Sequence, residues 1–440
     1  MPVNLKSTNR SSANVWRVGI LATLLVIGLL VDEHITAAPT VIANQAPTPP
    51  LTTEWQQDQP NEMDVFVPFG EATANPLPEM FRYGPLQLRP HADYRFLYGT
   101  GIEASPSNQQ ATIIQELSPG ILANLGTHWA LNYTPTIRLY SNSQFQNTVD
   151  HSIVLTGGTR YEDWTLGLSH SSMLTSAPLA ETGGQTEQDT HSTSLTASRA
   201  FNERISADFG VSQVINLVSG FQDSYDWSTL DWLNYQFWPR LNVGLGAGGG
   251  YVKIDESNAD AGLNGQNGDQ TYEQLQARIN WRATDKISFQ VSGGLEDRQF
   301  MSAGSSDSLD PVYGAAIEYQ PFKVTQISLS ANRTVSSSDY YVLAQQSETT
   351  TFSVNLNQRL LKEFNLGLGA SYSTTDFNSS FGPLAANRTD NSTSFNVRLS
   401  HPFFKRGTWS VFYQYNDNSS TQAGLGYESN QVGFEVSYNF

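Results

Sequence analysis

The sequence predicts an all-β protein, a transmembrane antiparallel up-and-down β-barrel of about 18 strands with short periplasmic turns and longer extracellular loops. Three observations predict this fold: side chains alternate between apolar and polar from residue 86 onward, tight turns recur about every 40 residues, and the last strand ends in an aromatic residue. Alternation with a period of two places the apolar side chains on one face of a strand. Runs of about ten such residues are typical of membrane barrels.

The composition favours a chain whose apolar face meets something other than its own core. The 440 residues carry 24 basic and 41 acidic side chains, a formal net charge of −17, and no cysteine. Without cysteine there can be no disulfide framework, thiolate metal site or lipoprotein anchor. The acidic balance argues against nucleic acid as a partner. The hydrophobic content of 39% is low for several soluble cores, where roughly 45–50% is usual with Gly counted.

The N-terminus predicts export. Lys6, Arg10 and Arg17 precede the uninterrupted apolar run Val18–Val31. A membrane-spanning helix needs ~20 apolar residues, whereas the apolar part of a signal peptide needs ~7–15 after a positive segment. Residues 1–37 are therefore predicted to be a signal peptide, with cleavage between residues 37 and 43. An uncleaved anchor is the alternative.

Residues 38–85 are predicted to be a Pro-rich periplasmic linker. Nine prolines fall between positions 39 and 85, among Thr, Gln, Asn and Glu. Proline at this density interrupts both helices and sheet ladders, so an extended or disordered stretch is expected. The stretch is too short for a globular plug. The outer-membrane barrel is then predicted to occupy residues 86–440.

Eight predicted tight turns give the strand count. Successive turns lie 36–46 residues apart, and each interval holds two strands and one longer polar loop. Eight turns join sixteen strands, and one more strand at each end gives eighteen. A propeller also repeats near 40 residues, but its blades need four strands in that length. The predicted turns are Gly126-Thr127, Glu162-Asp163, Asn202-Glu203, Trp238–Arg240, Thr284–Lys286, Pro321–Lys323, Lys362-Glu363 and Lys405–Gly407.

Aromatic residues next to these turns predict a girdle at the lipid–water interface. They are Trp129, Tyr161, Trp164, Phe237, Trp238, Trp281, Phe403, Phe404 and Trp409. The last strand alternates at every position from residue 431 and ends with Tyr438 and Phe440. This ending resembles the signal by which the barrel-assembly machinery recognises outer-membrane proteins.

Four segments resemble the β-barrel porin family of type 2: Phe81–His91, Gln115–Gly120, Leu233–Phe237 and Phe412–Tyr415. The resemblance covers about residues 81–440 and rests on a pattern of strands. It implies a Gram-negative outer-membrane barrel of unassigned cargo, and some relatives are associated with exopolysaccharide secretion. The expected partners are outer-membrane lipid and lipopolysaccharide, the barrel-assembly machinery, periplasmic chaperones and, for an export role, polysaccharide-export proteins, with no nucleic acid.

Patterns that suggest enzyme chemistry have simpler explanations. Gly244–Gly249 matches the dinucleotide-binding pattern G-x-G-x-x-G, but that motif needs a helix after it, and here a strand continues. Ser169, His170 and Ser171 are adjacent, and neighbours on a strand point to opposite faces. No two of the seven His lie at metal-ligand spacing. No catalytic residue, metal site or cofactor is predicted, and the chain is not expected to be an enzyme.

Charged residues out of phase with the apolar set are predicted to line the lumen. Arg on the lipid face at mid-depth costs ~2–4 kcal/mol, so inward placement is favoured. Two interpretations stay open: a charged constriction that selects solutes, or ordinary solvated wall residues. The segment Tyr225–Phe237 alternates poorly, and its facing is not assigned. The candidate pore-lining residues are Arg89, Asp93, Arg95, Arg138, Asp208, Arg278, Glu318, Arg359, Arg398 and Glu435.

The predicted function is a porin-like, water-filled pore for small polar solutes. The alternatives are an exopolysaccharide secretion pore and a structural or adhesive barrel. Acidic residues in the loops, such as Asp255, Asp269 and Asp307, predict a weak preference for cations if the inward arginines are dispersed and paired. Arginines gathered in one sector would instead produce a transverse field. The sequence leaves open whether the barrel is a monomer or a trimer.

Overall fold

The computed structural model describes residues 81–100, 111–176, 178–179, 184–255, 268–301, 307–337, 346–378 and 388–440. The predicted signal peptide and nearly all of the predicted linker lie outside these ranges. Within them the chain forms eighteen long β-strands. None of the described residues belongs to a helix that is long and apolar enough to cross a membrane.

The long strands have 12 to 16 residues each. They are β1 (Leu86–Thr100), β2 (Thr112–Leu125), β3 (Trp129–Tyr140), β4 (Thr148–Tyr161), β5 (Trp164–Thr175), β6 (Gln188–Ala200), β7 (Ile205–Val218), β8 (Asp223–Trp238), β9 (Leu241–Asp255), β10 (Gln270–Thr284), β11 (Ile287–Phe300), β12 (Ser308–Phe322), β13 (Thr325–Ser336), β14 (Gln346–Leu360), β15 (Phe364–Asn378), β16 (Arg388–Phe403), β17 (Gly407–Ser420) and β18 (Tyr427–Asn439). They are longer than the predicted runs of about ten because pairing continues beyond the apolar, alternating part of each strand.

The strands close into a single barrel. Each strand pairs antiparallel with its neighbours in sequence, and β18 pairs with β1 from His91–Asn439 to Thr100–Asn430. The Phe440 amide donates a further hydrogen bond of 2.9 Å to the Pro90 carbonyl. The predicted all-β class, antiparallel up-and-down topology and count of eighteen strands are confirmed. Closure leaves no unpaired sheet edge, which a lipid environment requires.

The two edges of the barrel differ in their connections. At one edge, here called the turn edge, eight turns of two to four residues join consecutive strands at all eight predicted positions. Several use left-handed backbone conformations, for example at Gly126 (φ 61°) and Glu162 (φ 52°). At the other edge, the loop edge, the connections have 4 to 14 residues. Arg82–Tyr83 pairs with the start of β1 in the barrel sheet, whereas Pro178–Leu179 and Gly184–Gln185 form a separate two-stranded sheet.

The two faces of the sheet have opposite chemistry. Residues paired across an antiparallel ladder share a face. The pairs Leu117–Ile137 and Glu116–Arg138 are neighbours on β2 and β3. Both apolar side chains of the first pair are exposed, whereas both charged side chains of the second are buried. The outer face is therefore apolar and the inner face polar, the reverse of a soluble barrel.

Aromatic side chains form two bands on the outer face. The band at the turn edge contains the predicted girdle residues, and Tyr161, Trp238 and Phe404 in it are exposed. A second band nearer the loop edge, which the sequence did not single out, contains Tyr98, Trp227, Tyr251, Tyr313, Tyr372 and Tyr413. Two aromatic bands that bound an apolar zone match the two interfaces of a bilayer.

Candidate functional site

The candidate site is the inner face of the barrel, which changes from one edge to the other. On β14 the inward residues near the loop edge, Ser347 and Thr349, are buried, while Asn355, Asn357 and Arg359 near the turn edge are exposed. This change along one strand divides the lumen into two parts. We call them the loop half and the turn half.

Other strands repeat this gradient. On β2, Thr112, Ile114 and Glu116 are buried at the loop edge, and the inward residues that follow become partly exposed. On β10, Gln270 and Tyr272 are buried, while Arg278 is only partly so. The inward side chains of the loop half are therefore packed against their neighbours, and those of the turn half are more open to solvent.

A first group of charges lies on β1 to β4 in the loop half. The Arg95 Nη1 is 3.4 Å from the Glu116 Oε2, and the Arg138 Nε donates a 2.7 Å bond to the Glu116 Oε1. Arg138 also pairs with Asp150 at 3.1 Å. These four side chains are nearly excluded from solvent, so the two guanidinium and two carboxylate charges offset each other inside the wall.

A second group spans β7 to β10 at mid-depth. The Arg278 Nη2 lies 2.5 Å from the Asp208 Oδ2, and its Nε donates a 3.1 Å bond to the Asn234 Oδ1. The arginine reaches across β9 because Gly244 leaves room: a Cβ there would lie 3.0 Å from the Arg278 Cγ. The glycine-rich pattern lies inside strand β9, as predicted, and allows close packing there.

A third group lies on β8 to β11 near the loop edge. The Arg298 Nη2 donates a 2.7 Å bond to the Glu296 Oε1, and its Nη1 donates a 2.9 Å bond to the Gln270 Oε1. The Tyr272 hydroxyl donates a 3.2 Å bond to Asp226, and its ring lies over Gly250. Arg298 is only 3% exposed, so its charge is held by these partners rather than by water.

Four inward-facing arginines share one arrangement in which the guanidinium stacks on an aromatic ring and pairs with a carboxylate. The stacking distances to the ring centroids are 4.7 Å for Arg95 on Phe412, 4.3 Å for Arg278 on Trp232, 4.8 Å for Arg298 on Tyr272 and 4.8 Å for Arg388 on Phe377. The carboxylates are Glu116, Asp208, Glu296 and Asp390. A guanidinium held on a ring face and by a carboxylate has a fixed position and a compensated charge.

The ten candidate pore-lining residues all lie on the inner face by register. Arg398 pairs with Glu435 at 2.5 Å, and Glu435 lies beside Arg95 in the ladder. Arg95, Arg138, Arg278 and Asp208 belong to the groups above. Within the described residues, Arg89, Asp93, Glu318 and Arg359 form no ion pair. The charged residues are thus dispersed around the barrel rather than gathered in one sector.

The sequence missed several members of these groups. Glu116 and Asp150 lie on strands where apolar residues also face inward. These apolar residues weaken the alternation that would have revealed the two carboxylates. Arg388 and Asp390 lie at the loop-edge end of β16, where successive residues are polar and show no alternation. Aromatic side chains such as those of Trp232 and Phe412 lie on the otherwise polar inner face, so the alternation of polar and apolar residues does not reveal them. Their signal is the glycine opposite each ring, because a Cβ at Gly246 would lie 2.7 Å from the Trp232 ring.

The described part of the chain contains no cluster of three or more His, Asp or Glu side chains that could hold a metal ion. His170 points to the outer face with its ladder partner Leu155, whereas Ser169 and Ser171 point inward. The three adjacent residues therefore do not converge on one site.

Residues 234–440 match the model of the family described as "Putative beta-barrel porin 2". This range covers β9 to β18 and the end of β8. A comparison with the curated proteins finds no match.

Several solved structures of outer-membrane proteins are similar at low identity. The siderophore receptor PirA from Pseudomonas aeruginosa has 9% identity and a TM-score of 0.43, with 80% of each chain covered. OccAB4 from Acinetobacter baumannii has 12% identity and a TM-score of 0.42, with 80% of this chain and 98% of that one covered. OccK8 (OprE) from P. aeruginosa has 9% identity and a TM-score of 0.42, with the same coverage.

The family match and the closed barrel agree on one class of protein. An apolar outer face between two aromatic bands and a polar inner face are the features of a bilayer-spanning barrel. The chain is an outer-membrane β-barrel, and its second half matches a porin family.

Proposed function

We propose that this barrel is a porin-like pore through which small polar solutes cross the outer membrane passively. The observation that carries the proposal is the closed eighteen-strand wall with a polar inner face. About eight strands leave an interior that side chains fill, whereas 16 to 18 leave room for an aqueous channel. Solutes from outside would be selected in the narrower loop half and would then pass through the open turn half.

The pairing of the inner arginines supports a weak preference for cations. Arg95, Arg138, Arg278 and Arg398 each have a carboxylate partner. Paired charges give a weak field in the lumen, so the formal net charge of −17 would dominate at the mouths. Such a potential attracts cations and weakens as salt rises, because the Debye length is ~8 Å at physiological ionic strength.

Reversal potentials in planar bilayers under a salt gradient test this proposal. We expect constitutive conductance with a small cation preference that declines at high salt. Clear anion selectivity, lost when Arg278 and Arg359 are both replaced by Ala, would contradict the proposed charge balance. Arg240→Ala is the matched control, because Arg240 pairs with Asp285 at 2.9 Å in exposed turns outside the lumen wall.

The same bilayer experiment separates the proposal from its two alternatives. A polysaccharide export pore would be closed when purified alone and would conduct only together with its secretion partners. A structural or adhesive barrel would not conduct under either condition. Deletion of the gene distinguishes these two outcomes, because an export pore predicts loss of surface polysaccharide and an adhesive barrel does not.

A further inference from the structure

One sector of the outer face departs from the apolar pattern. On β1–β3 and β9–β18, the outer positions in the middle of each strand are aliphatic, aromatic, Gly or Pro residues. On β5–β8 the same zone contains His170, Thr193, Gln213 and Asp231. Hydrocarbon offers no hydrogen-bond partner, so polar side chains that face it are costly. This polar sector is therefore unsuited to lipid.

Asp231 is the most unusual member of the polar sector. Its Oδ1 accepts hydrogen bonds from the Gly210 amide at 3.2 Å and from the Thr229 hydroxyl at 3.3 Å. The β7–β8 ladder has pairs on both sides of this point but none for residues 209 and 210. The neighbouring Val211 and Leu233 are more than half exposed. A carboxylate therefore interrupts the wall in the middle of an exposed apolar surface.

His170 lies at the same depth as Asp231, three strands away. It follows Trp164 at the turn edge of β5 by six residues, and Asp231 precedes Trp238 at the turn edge of β8 by seven. The His170 Nδ1 is 2.9 Å from the Thr193 hydroxyl, and its Nε2 has no partner among the described residues. Leu195 and Val211, paired between them on β6 and β7, are exposed.

We propose that the outer face of β5–β8 is the interface of a two-fold homodimer, in which His170 of one copy lies against Asp231 of the other. A two-fold axis along the membrane normal brings the β5 side of one copy opposite the β8 side of its partner. Equal depth and symmetric placement about Leu195 and Val211 make the sector complementary to itself. An imidazole then meets a carboxylate twice, and the apolar centre packs between them.

Cysteine cross-linking tests the interface directly, because the chain has no native cysteine. Val211→Cys lies next to the proposed axis and should form a disulfide-linked dimer when membranes are treated with copper phenanthroline. Val354→Cys on the outer face of β14 is similarly exposed and should stay monomeric. Equal cross-linking of both variants, no cross-linking of Val211→Cys, or a covalent product with another protein would overturn the proposal.

The charge pair has its own test by sedimentation equilibrium in mild detergent. Asp231→Ala should weaken dimerisation by about tenfold or more, since a polar contact within a membrane interface is lost twice. The exchanged double variant with His170→Asp and Asp231→His should restore it. A wild-type protein that is monomeric, or single and exchanged variants that dimerise equally well, would show that the two residues do not meet.

Discussion

The loop half and the turn half of the lumen have the same eighteen-strand wall but different interiors. In the loop half, Arg95, Arg138 and Arg298 are buried and each is held by a carboxylate. In the turn half, Glu318 and Arg359 are exposed and have no ion-pair partner within the described residues. The difference teaches that inward charge alone does not define a constriction. An inward charge defines a constriction only where its neighbours fix its position and exclude water from it.

The largest expected difference between the halves concerns stability. Glu116→Gln leaves Arg95 and Arg138 buried without their shared carboxylate. Removing one partner of a buried ion pair costs about 3–5 kcal/mol, and urea unfolding in detergent should show a loss of that size. Glu318→Gln in the turn half is the matched control and should change the free energy of unfolding by less than about 0.5 kcal/mol. Equal losses would show that the halves do not differ in this way.

Glycine substitutions compare a crowded and an open position of the inner wall at similar depth, with a smaller effect. A Cβ on Gly244 would lie 2.7 Å from the Asn234 Oδ1, whereas a Cβ on Gly367 would meet nothing closer than 3.5 Å. Gly244→Ala should displace Arg278 and cost about 1–3 kcal/mol, the usual cost of overpacking. Gly367→Ala should be close to neutral by the same unfolding measurement. If Gly244→Ala left the free energy of unfolding unchanged, Arg278 would not depend on the space that Gly244 leaves in β9.

The smallest predicted effect is on conductance. Arg298→Ala removes a side chain that fills the loop half, where ions have the least room, and should raise the single-channel conductance. Arg359→Ala removes a similar volume from the open turn half and should leave the conductance nearly unchanged. A larger conductance in Arg359→Ala than in Arg298→Ala would place the narrowest part of the lumen in the turn half, which would contradict this prediction.

The sequence predicted the wall of this barrel better than its interior. Alternation and tight turns depend on local backbone geometry, so the strand count, the turn positions and the facing of residues such as Arg278 could be predicted. The partners of Arg278 could not, because Asn234 lies two strands away and Asp208 three, and the register of the intervening ladders decides which side chains meet. The poor alternation of Tyr225–Phe237 has a specific cause: Thr229 and Asp231 are polar residues on the outer face.

The most direct test of the central claim is cysteine modification during single-channel recording. The claim is that the polar face lines a water-filled passage. Asn357→Cys is inward and exposed, whereas Val354→Cys is outward on the same strand. A charged, membrane-impermeant thiol reagent should change the current through Asn357→Cys and leave Val354→Cys unaffected. A barrel that carries no current, or a current that responds at Val354→Cys and not at Asn357→Cys, would contradict the account.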